Sequence, residues 1–249
     1  MTSYANPAVY QCPGCDDFIL RQRLKTINFS GTRGWSDGAP TAWWAQSSLM
    51  RCDACAAFFW IADLKPVGEL PYEPRAVGHL YRFLARWRGD PEGHLRAEKE
   101  WLQIPAKWKV ARHAGSANFE DIVFVLSKPQ GLSRNRLLWL RRRIWWDLND
   151  RFRSEPGAHI PNVPIMAEAD ERANMLAILG LLEQGEMGPG DMVEKGELLR
   201  LLGNFDEAVT VLKAVPPDGY NEVRAGKSEA LARSGDACVR ELEMAGSAW

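Results

Sequence analysis

The spacing of apolar and polar positions divides the chain into a β-patterned start and a helix-patterned remainder. DFILRQRLKTINF, residues 17–29, has the length and apolar content of a strand, and its odd positions place Arg21, Arg23 and Lys25 on one face. GTRGWSDGAP (31–40) is dense in Gly, Asp and Pro and reads as a turn or wide loop, with Asp37 bonding nearby amides and Gly38 at positive φ. AFFWIADL (57–64) reads as a strand. KPVGELPYEP (65–74), with three prolines, marks a boundary.

Helical spacing follows through Val77, Leu80, Leu84 and Trp87 and stops at Gly89 and Pro91. A short helix is expected near His94–Leu102 and a strand over DIVFVLS (121–127). SRNRLLWLRRRIWWDLNDRFRSE (133–155) carries the strongest helix signal, with Ser133 placed to cap it and Pro156-Gly157 to end it. At about 100° per residue, Leu137, Leu138, Leu140, Ile144, Trp145, Leu148 and Phe152 share an apolar face, from which Arg141 must reach out along its stem. Trp139, Arg142, Arg143, Trp146 and Arg153 gather on the other side. A second Pro-rich boundary, PGAHIPNVP (156–164), precedes a tail of helix signal broken by Gly turns. The expectation is an α+β protein in three parts: a small β module (1–70), a mainly helical middle (71–160) and a helical tail (161–249).

Composition sharpens this picture. With 46% apolar residues in 249, the chain can bury a sizeable core. Its longest apolar run, AAFFWIA (56–62), is about a third of a bilayer span. The first dozen residues lack the basic start and apolar centre of a secretory leader, so a cytoplasmic protein with no membrane role is expected. The three parts carry net charges of 0, +7 and −8. This asymmetry suggests separate jobs or mutual attraction between middle and tail.

Four of the five cysteines form two Cys-x-x-Cys pairs, YQCPGC and RCDAC. In a reducing compartment such pairs point to metal rather than to disulfides. Cys12, Cys15, Cys52 and Cys55 complete a tetrahedral all-thiolate shell, which fits a structural Zn2+ with no open position for catalysis. Iron in a similar cage is the chemical competitor. The 36 intervening residues exceed the zinc-ribbon interval of about 15 to 20, so the insert should form structure of its own, with Trp35, Trp43 and Trp44 as a small core beside the metal. Cys238 is expected as a buried apolar residue of a helix.

YQCPGC, the GWSDG loop and CDACAAFFW together resemble uncharacterised bacterial proteins with a split zinc-ribbon-like N-terminus, a likeness covering residues 8–66. Asp16 and Ala56 depart from it, standing where glycine often follows the second cysteine of a knuckle. KGELLRLLGNFDEAVTVLKAVPP resembles a degenerate tetratricopeptide repeat (TPR): Gly196 with Leu199, the Gly203-Asn204-Phe205 turn, and Ala208 with Leu212 before Pro216. The resemblance implies antiparallel helix pairs over residues 166–244.

No phosphate loop, dinucleotide fingerprint or nucleophile elbow is present, and the four histidines have no metal or triad spacing. The reading is a non-enzymatic cytoplasmic zinc-binding adaptor that recognises another protein through its helical tail. A nucleic-acid-binding protein is the alternative, its interaction surface Trp139, Arg142, Arg143 and Trp146 stacking bases and pairing phosphates beside Arg21, Arg23 and Lys25. An enzyme with an unrecognised site is a third possibility. Oligomeric state is left open.

Overall fold

The segment before the first cysteine forms strand β1 (Ser3–Gln11), which pairs antiparallel with β2 (Phe18–Thr26) across the first cysteine turn. Pro7 cannot donate to this ladder. The register shifts between Ala5 and Ala8, and the Pro7 carbonyl accepts from Leu70 N at 2.9 Å instead.

The computed structural model describes residues 3–26, 34–39, 48–74, 93–128, 131–153, 164–217 and 219–242. The chain is α+β and forms two compact units: Met1–Asn28 with Gln46–Ala117, and Phe29–Ala45 with Asn118–Trp249. These units cut across the three segments drawn from composition, because part of the insert between the cysteine pairs belongs with the C-terminal helices.

In the first unit, β1 and β2 lie inside a sheet of order β6-β1-β2-β7. Its outer members are β6 (Gly68–Glu69) and β7 (Arg112–His113), the latter parallel to β2. A second sheet runs β5-β4-β8, from Phe58–Trp60, Leu49–Arg51 and Gly115–Ser116. Strand character in AFFWIADL therefore ends at Trp60, and Ile61–Asp63 turns as a 3-10 helix. Alternation along β1 and β2 sorts the first core. Val9 and Leu20 pack with Leu70 against Trp101, Ile104 and Trp108, carried on and between helices α1 (Gly93–Gln103) and α2 (Ala106–Lys109). Gly68 leaves room for the Trp108 ring, since a Cβ there would lie 2.6 Å from ring atom Cζ3. Ile19 and Tyr10, on the other face, join Met50, Phe59 and Ile61 around the cysteines. The helix read over residues 77–87 lies outside the described residues.

In the second unit, DIVFVLS is a helix rather than a strand. Helix α3 (Phe119–Ser127) starts at a reciprocal cap in which Asn118 Oδ1 accepts from Asp121 N at 2.8 Å and Asp121 Oδ2 accepts from Asn118 N at 3.2 Å. Two capped donors and the burial of Ile122 and Val125 on one face outweigh the β preference of the branched side chains. Helix α4 (Arg134–Asn149) continues as a 3-10 turn at Asp150–Phe152. Ser133 occupies the cap position without a side-chain cap; its carbonyl accepts from Leu137 N at 3.0 Å. Leu138, Leu140, Ile144, Trp145 and Leu148 are buried as the helical period requires, whereas Phe152 is 38% exposed. Arg141 reaches Asn174 Oδ1 at 3.2 Å, and Asn174 Nδ2 donates back to the Arg141 carbonyl at 3.0 Å.

The tail comprises α5 (Glu168–Glu183), α6 (Pro189–Leu201), α7 (Phe205–Lys213) and α8 (Tyr220–Arg233). Helix α6 ends where Asn204 N donates to Leu199 O at 2.8 Å around Gly203, whose φ is +85°, and α8 ends in the same way at Gly235, φ +71°. Gly196 lets α7 approach α6, because a Cβ there would sit 2.5 Å from Leu212 Cδ2. Residues of α4 to α8 share one core, including Leu138, Ile178, Leu182, Val193, Leu198, Ala208, Leu212 and Ala232. Cys238 is half-buried in the segment after α8, not in a helix, because the Gly235 turn has already ended it. The chain then forms β9 (Glu241–Leu242), antiparallel to β3 (Gly34–Trp35).

Candidate metal centre

Each cysteine pair is a tight turn closed by its own backbone. Cys12 N donates to Asp17 O at 2.9 Å and Cys52 N to Ala57 O at 3.0 Å, so both turns bend alike and present their sulfurs inward. Gly14 fits the first turn closely: a Cβ there would lie 2.7 Å from Ala57 Cβ and 3.1 Å from Cys55 Sγ. In the second turn Ala56 takes the left-handed conformation, φ +57°, that glycine adopts at least cost.

The four Sγ atoms of Cys12, Cys15, Cys52 and Cys55 all lie within 4.8 Å of one another. Cys12 faces Cys55 at 3.7 Å and Cys15 faces Cys52 at 3.8 Å, each contact joining one turn to the other. A tetrahedron with metal–sulfur bonds of about 2.3 Å has edges of about 3.8 Å. A disulfide would need about 2.05 Å, and all four thiols are free. Cys12 and Cys52 are buried, Cys15 is half-buried and Cys55 is exposed, so the cluster opens on one side. Tyr10, Ile19, Met50, Phe59 and Ile61 pack around it, and Trp35, one of the three tryptophans expected there from sequence, lies in the second unit instead.

Burial pushes the Cys12 thiol up, against the Gly14 amide. The Asp17 amide pulls Cys15 down, but burial and the neighbouring sulfurs of Cys55, Cys12 and Cys52 push it up to about 12. Cys52 goes the other way. Burial opposes its ionisation, yet the Cys55 and Ala54 amides and the Cys12 and Cys55 thiols hold it below the usual thiol value. Of these three thiols Cys52 gives up its proton most readily, and a cation held by thiolates must displace the protons that Cys12 and Cys15 retain.

Apart from Arg21, Arg23 and Lys25, which lie on β2 in the first unit, the remaining described residues marked by the sequence lie in the second unit. Ser36 and Asp37 are buried at 0% and 3% exposure. The Asp37 carboxylate accepts from Ala39 N at 3.1 Å, from Asn149 Nδ2 at 3.0 Å and from Arg153, while the Asp37 carbonyl accepts from Trp146 Nε1 at 3.1 Å. Burial nevertheless raises the Asp37 carboxyl above its ordinary range, against Arg153 and these donors. Ser36 Oγ accepts from Arg240 N at 3.1 Å and from Arg200 Nη2 at 3.3 Å. Trp35 is buried here too, with Arg153 stacked over its ring at 5.9 Å. Its place is the helical unit; Trp43 and Trp44 lie outside the described residues.

The Trp139, Arg142, Arg143 and Trp146 group is largely engaged inside this unit. Arg142 bridges Glu194 at 2.5 Å and Asp191 at 3.0 Å, Arg143 pairs with Asp147 at 3.0 Å, and Trp146 packs against the core besides donating to Asp37. Trp139 is half-buried. The attraction expected between basic middle and acidic tail is realised in Arg142 with Asp191 and Glu194, and in Arg151 with Glu171 at 2.7 Å. On β2, Arg23 pairs with Glu69.

Among the described residues no helix is long and apolar enough to cross a membrane. No protein-family model, curated protein or solved structure matches the chain.

Proposed function

We propose that Cys12, Cys15, Cys52 and Cys55 hold one structural zinc ion and that the chain is a cytoplasmic, non-enzymatic adaptor. In this reading a zinc-ribbon-like module is joined to TPR-like helical hairpins that recognise a protein partner. The convergence of four sulfurs with near-tetrahedral edges carries the metal half. Four thiolates fill the zinc shell, so the ion stabilises structure and leaves no position for a reacting group. A module of this size buries little apolar surface, and zinc–thiolate binding supplies the missing stability.

Support for the adaptor half comes from the hairpin of α6 and α7, with Gly196 against Leu212 and the Gly203 turn, the small-residue logic of helical repeats. Tyr220 and Val223, one turn apart on α8, are 41% and 45% exposed and offer an apolar contact. The alternative surface for nucleic acid is weakened by the ion pairs that occupy Arg142 and Arg143.

Elemental analysis of untagged protein should find one zinc per chain, and chelation should unfold the first unit. A stoichiometric iron content, or no metal, overturns the zinc assignment. For the adaptor, cross-linking in the native cell should capture a protein whose yield falls with Tyr220→Glu/Val223→Glu and survives nuclease. Loss on nuclease treatment would favour the nucleic-acid reading instead.

A further inference from the structure

The first unit also holds a cleft of about 370 Å³, bounded by Asp17–Ile19 at the start of β2, by Cys52–Ala54 of the second cysteine turn, and by residues 107 and 110–114. That volume is at the low end of small-molecule sites, too small for a macromolecular groove. Phe18, Val110 and Ala111 supply apolar lining.

The charges in the cleft are sorted by element. Asp17 and Asp53 stand on the cysteine turns, while Lys107, Arg112 and His113 come from α2 and β7. None of these five side chains makes a hydrogen bond or ion pair among the described residues. The backbone of His113 is left outside the ladder. Ala114 N donates to Leu20 O at 3.0 Å and Leu20 is paired with His113, so the parallel ladder directs the N–H and C=O of His113 away from β2.

Two carboxylates and two permanent cations balance. A polyanion entering the cleft meets Asp17 and Asp53, and a simple cation meets Lys107 and Arg112; a zwitterion is matched at both ends. We propose that this cleft binds a small zwitterion of the amino-acid or short-peptide class, its ammonium toward Asp17 and Asp53 and its carboxylate toward Lys107, Arg112 and His113. The assignment is independent of the adaptor reading and needs only the cysteine turns in their folded form.

The test is amide NMR on the full, zinc-loaded chain titrated with the tripeptide Ala-Leu-Ala, with its N-acetyl and C-amide forms, and with inorganic phosphate. The free peptide should give saturable shifts at the amides of Asp53, Arg112 and His113, and capping either terminus should weaken binding about tenfold. Arg112→Gln should cost the free peptide about tenfold and remove the penalty for C-amidation; Asp53→Asn should do the same for N-acetylation. Absence of saturation at millimolar peptide, equal binding of the doubly capped peptide, or tighter binding of phosphate overturns the proposal. Zinc content measured on the same sample separates a disordered cysteine turn from a missing ligand site.

Discussion

Replacing Arg200 by Met should be among the most damaging substitutions in the second unit, and the reason lies in what the guanidinium holds. Arg200 and Glu197 are both 0% exposed. Arg200 donates to the Glu197 carboxylate from Nε at 3.0 Å and Nη2 at 2.6 Å, to Cys238 O at 2.9 Å and Ser36 Oγ at 3.3 Å, and to Asp236 O. Removing it strands a buried carboxylate, which costs about 3 to 5 kcal/mol, and leaves two carbonyls short of a donor at about 1 kcal/mol each. Arg200→Met should therefore lose about 5 kcal/mol, a large share of the roughly 5 to 15 kcal/mol that stabilises a domain. Adding Glu197→Leu removes the stranded charge, so the double variant should recover about 2 to 3 kcal/mol relative to the single one. Urea unfolding in excess zinc, followed by far-UV circular dichroism, reads both values, and hydrogen exchange should show Ser36 N losing the protection given by its 2.9 Å bond to Arg240 O. A single variant within about 1 kcal/mol of wild type, or a double variant worse than the single, would refute the reasoning.

Other substitutions test neighbouring parts of the structure. Gly196→Ala gains up to about 1 kcal/mol of helix propensity but forces a Cβ to 2.5 Å from Leu212 Cδ2; overpacking should win by about 1 kcal/mol, and Leu212→Ala should cancel the Gly196 effect in a double-mutant cycle. Ala56→Gly relieves the left-handed conformation at φ +57° and should stabilise the zinc-loaded first unit by about 0.5 kcal/mol, the strain released less the added chain entropy, visible as a higher Tm. Because burial raises the Asp37 carboxyl, the folded chain holds that proton to higher pH than the unfolded chain. Its contribution to stability is thus fullest below the ordinary value of about 4 and falls as pH rises through the raised value; Asp37→Asn should flatten this part of the pH–stability profile.

The cysteine cluster was legible because two identical spacings constrain four sulfurs almost regardless of what lies between them. Several helices were legible for a similar reason: in the tail Gly203 and Gly235 end helices by a local rule, and ahead of it the apolar period of α4 is sustained over four turns. Pairings between distant segments carry no such signal. β3 and β9 are two residues each and meet across roughly two hundred positions, so neither shows a period of its own. β7 is equally short, which is why Arg112 and His113 gave no sign of lining a cleft. In DIVFVLS the branched side chains pointed to a strand, and the deciding information lay just upstream in the Asn118 cap with its partner Asp121. The GWSDG turn was read from its local chemistry, and Asp37 does bond the Ala39 amide. What the sequence could not convey was that the same carboxylate also answers Asn149 and Arg153, more than a hundred residues away.

The path of the chain explains why that turn matters beyond its size. The insert between Cys15 and Cys52 begins and ends in the first unit, but its middle, including Trp35 to Ala39, is built into the second. Groups of the second unit, the buried Arg200 and Asn149 and the half-buried Arg153 and Trp146, are satisfied in part by Ser36 and Asp37. A fragment beginning after residue 46 would therefore keep every helix of the tail and still leave these donors short of acceptors, at about 1 to 3 kcal/mol for each stranded polar group. On the zinc reading, a metal at the cysteines would hold both ends of the insert together, which lowers the chain entropy lost when its middle folds into the second unit. Zinc binding and the stability of the helical unit should consequently be linked, although no helix supplies a metal ligand. For the adaptor reading this means that the surface of the tail should be most stable in the intact, metal-loaded chain.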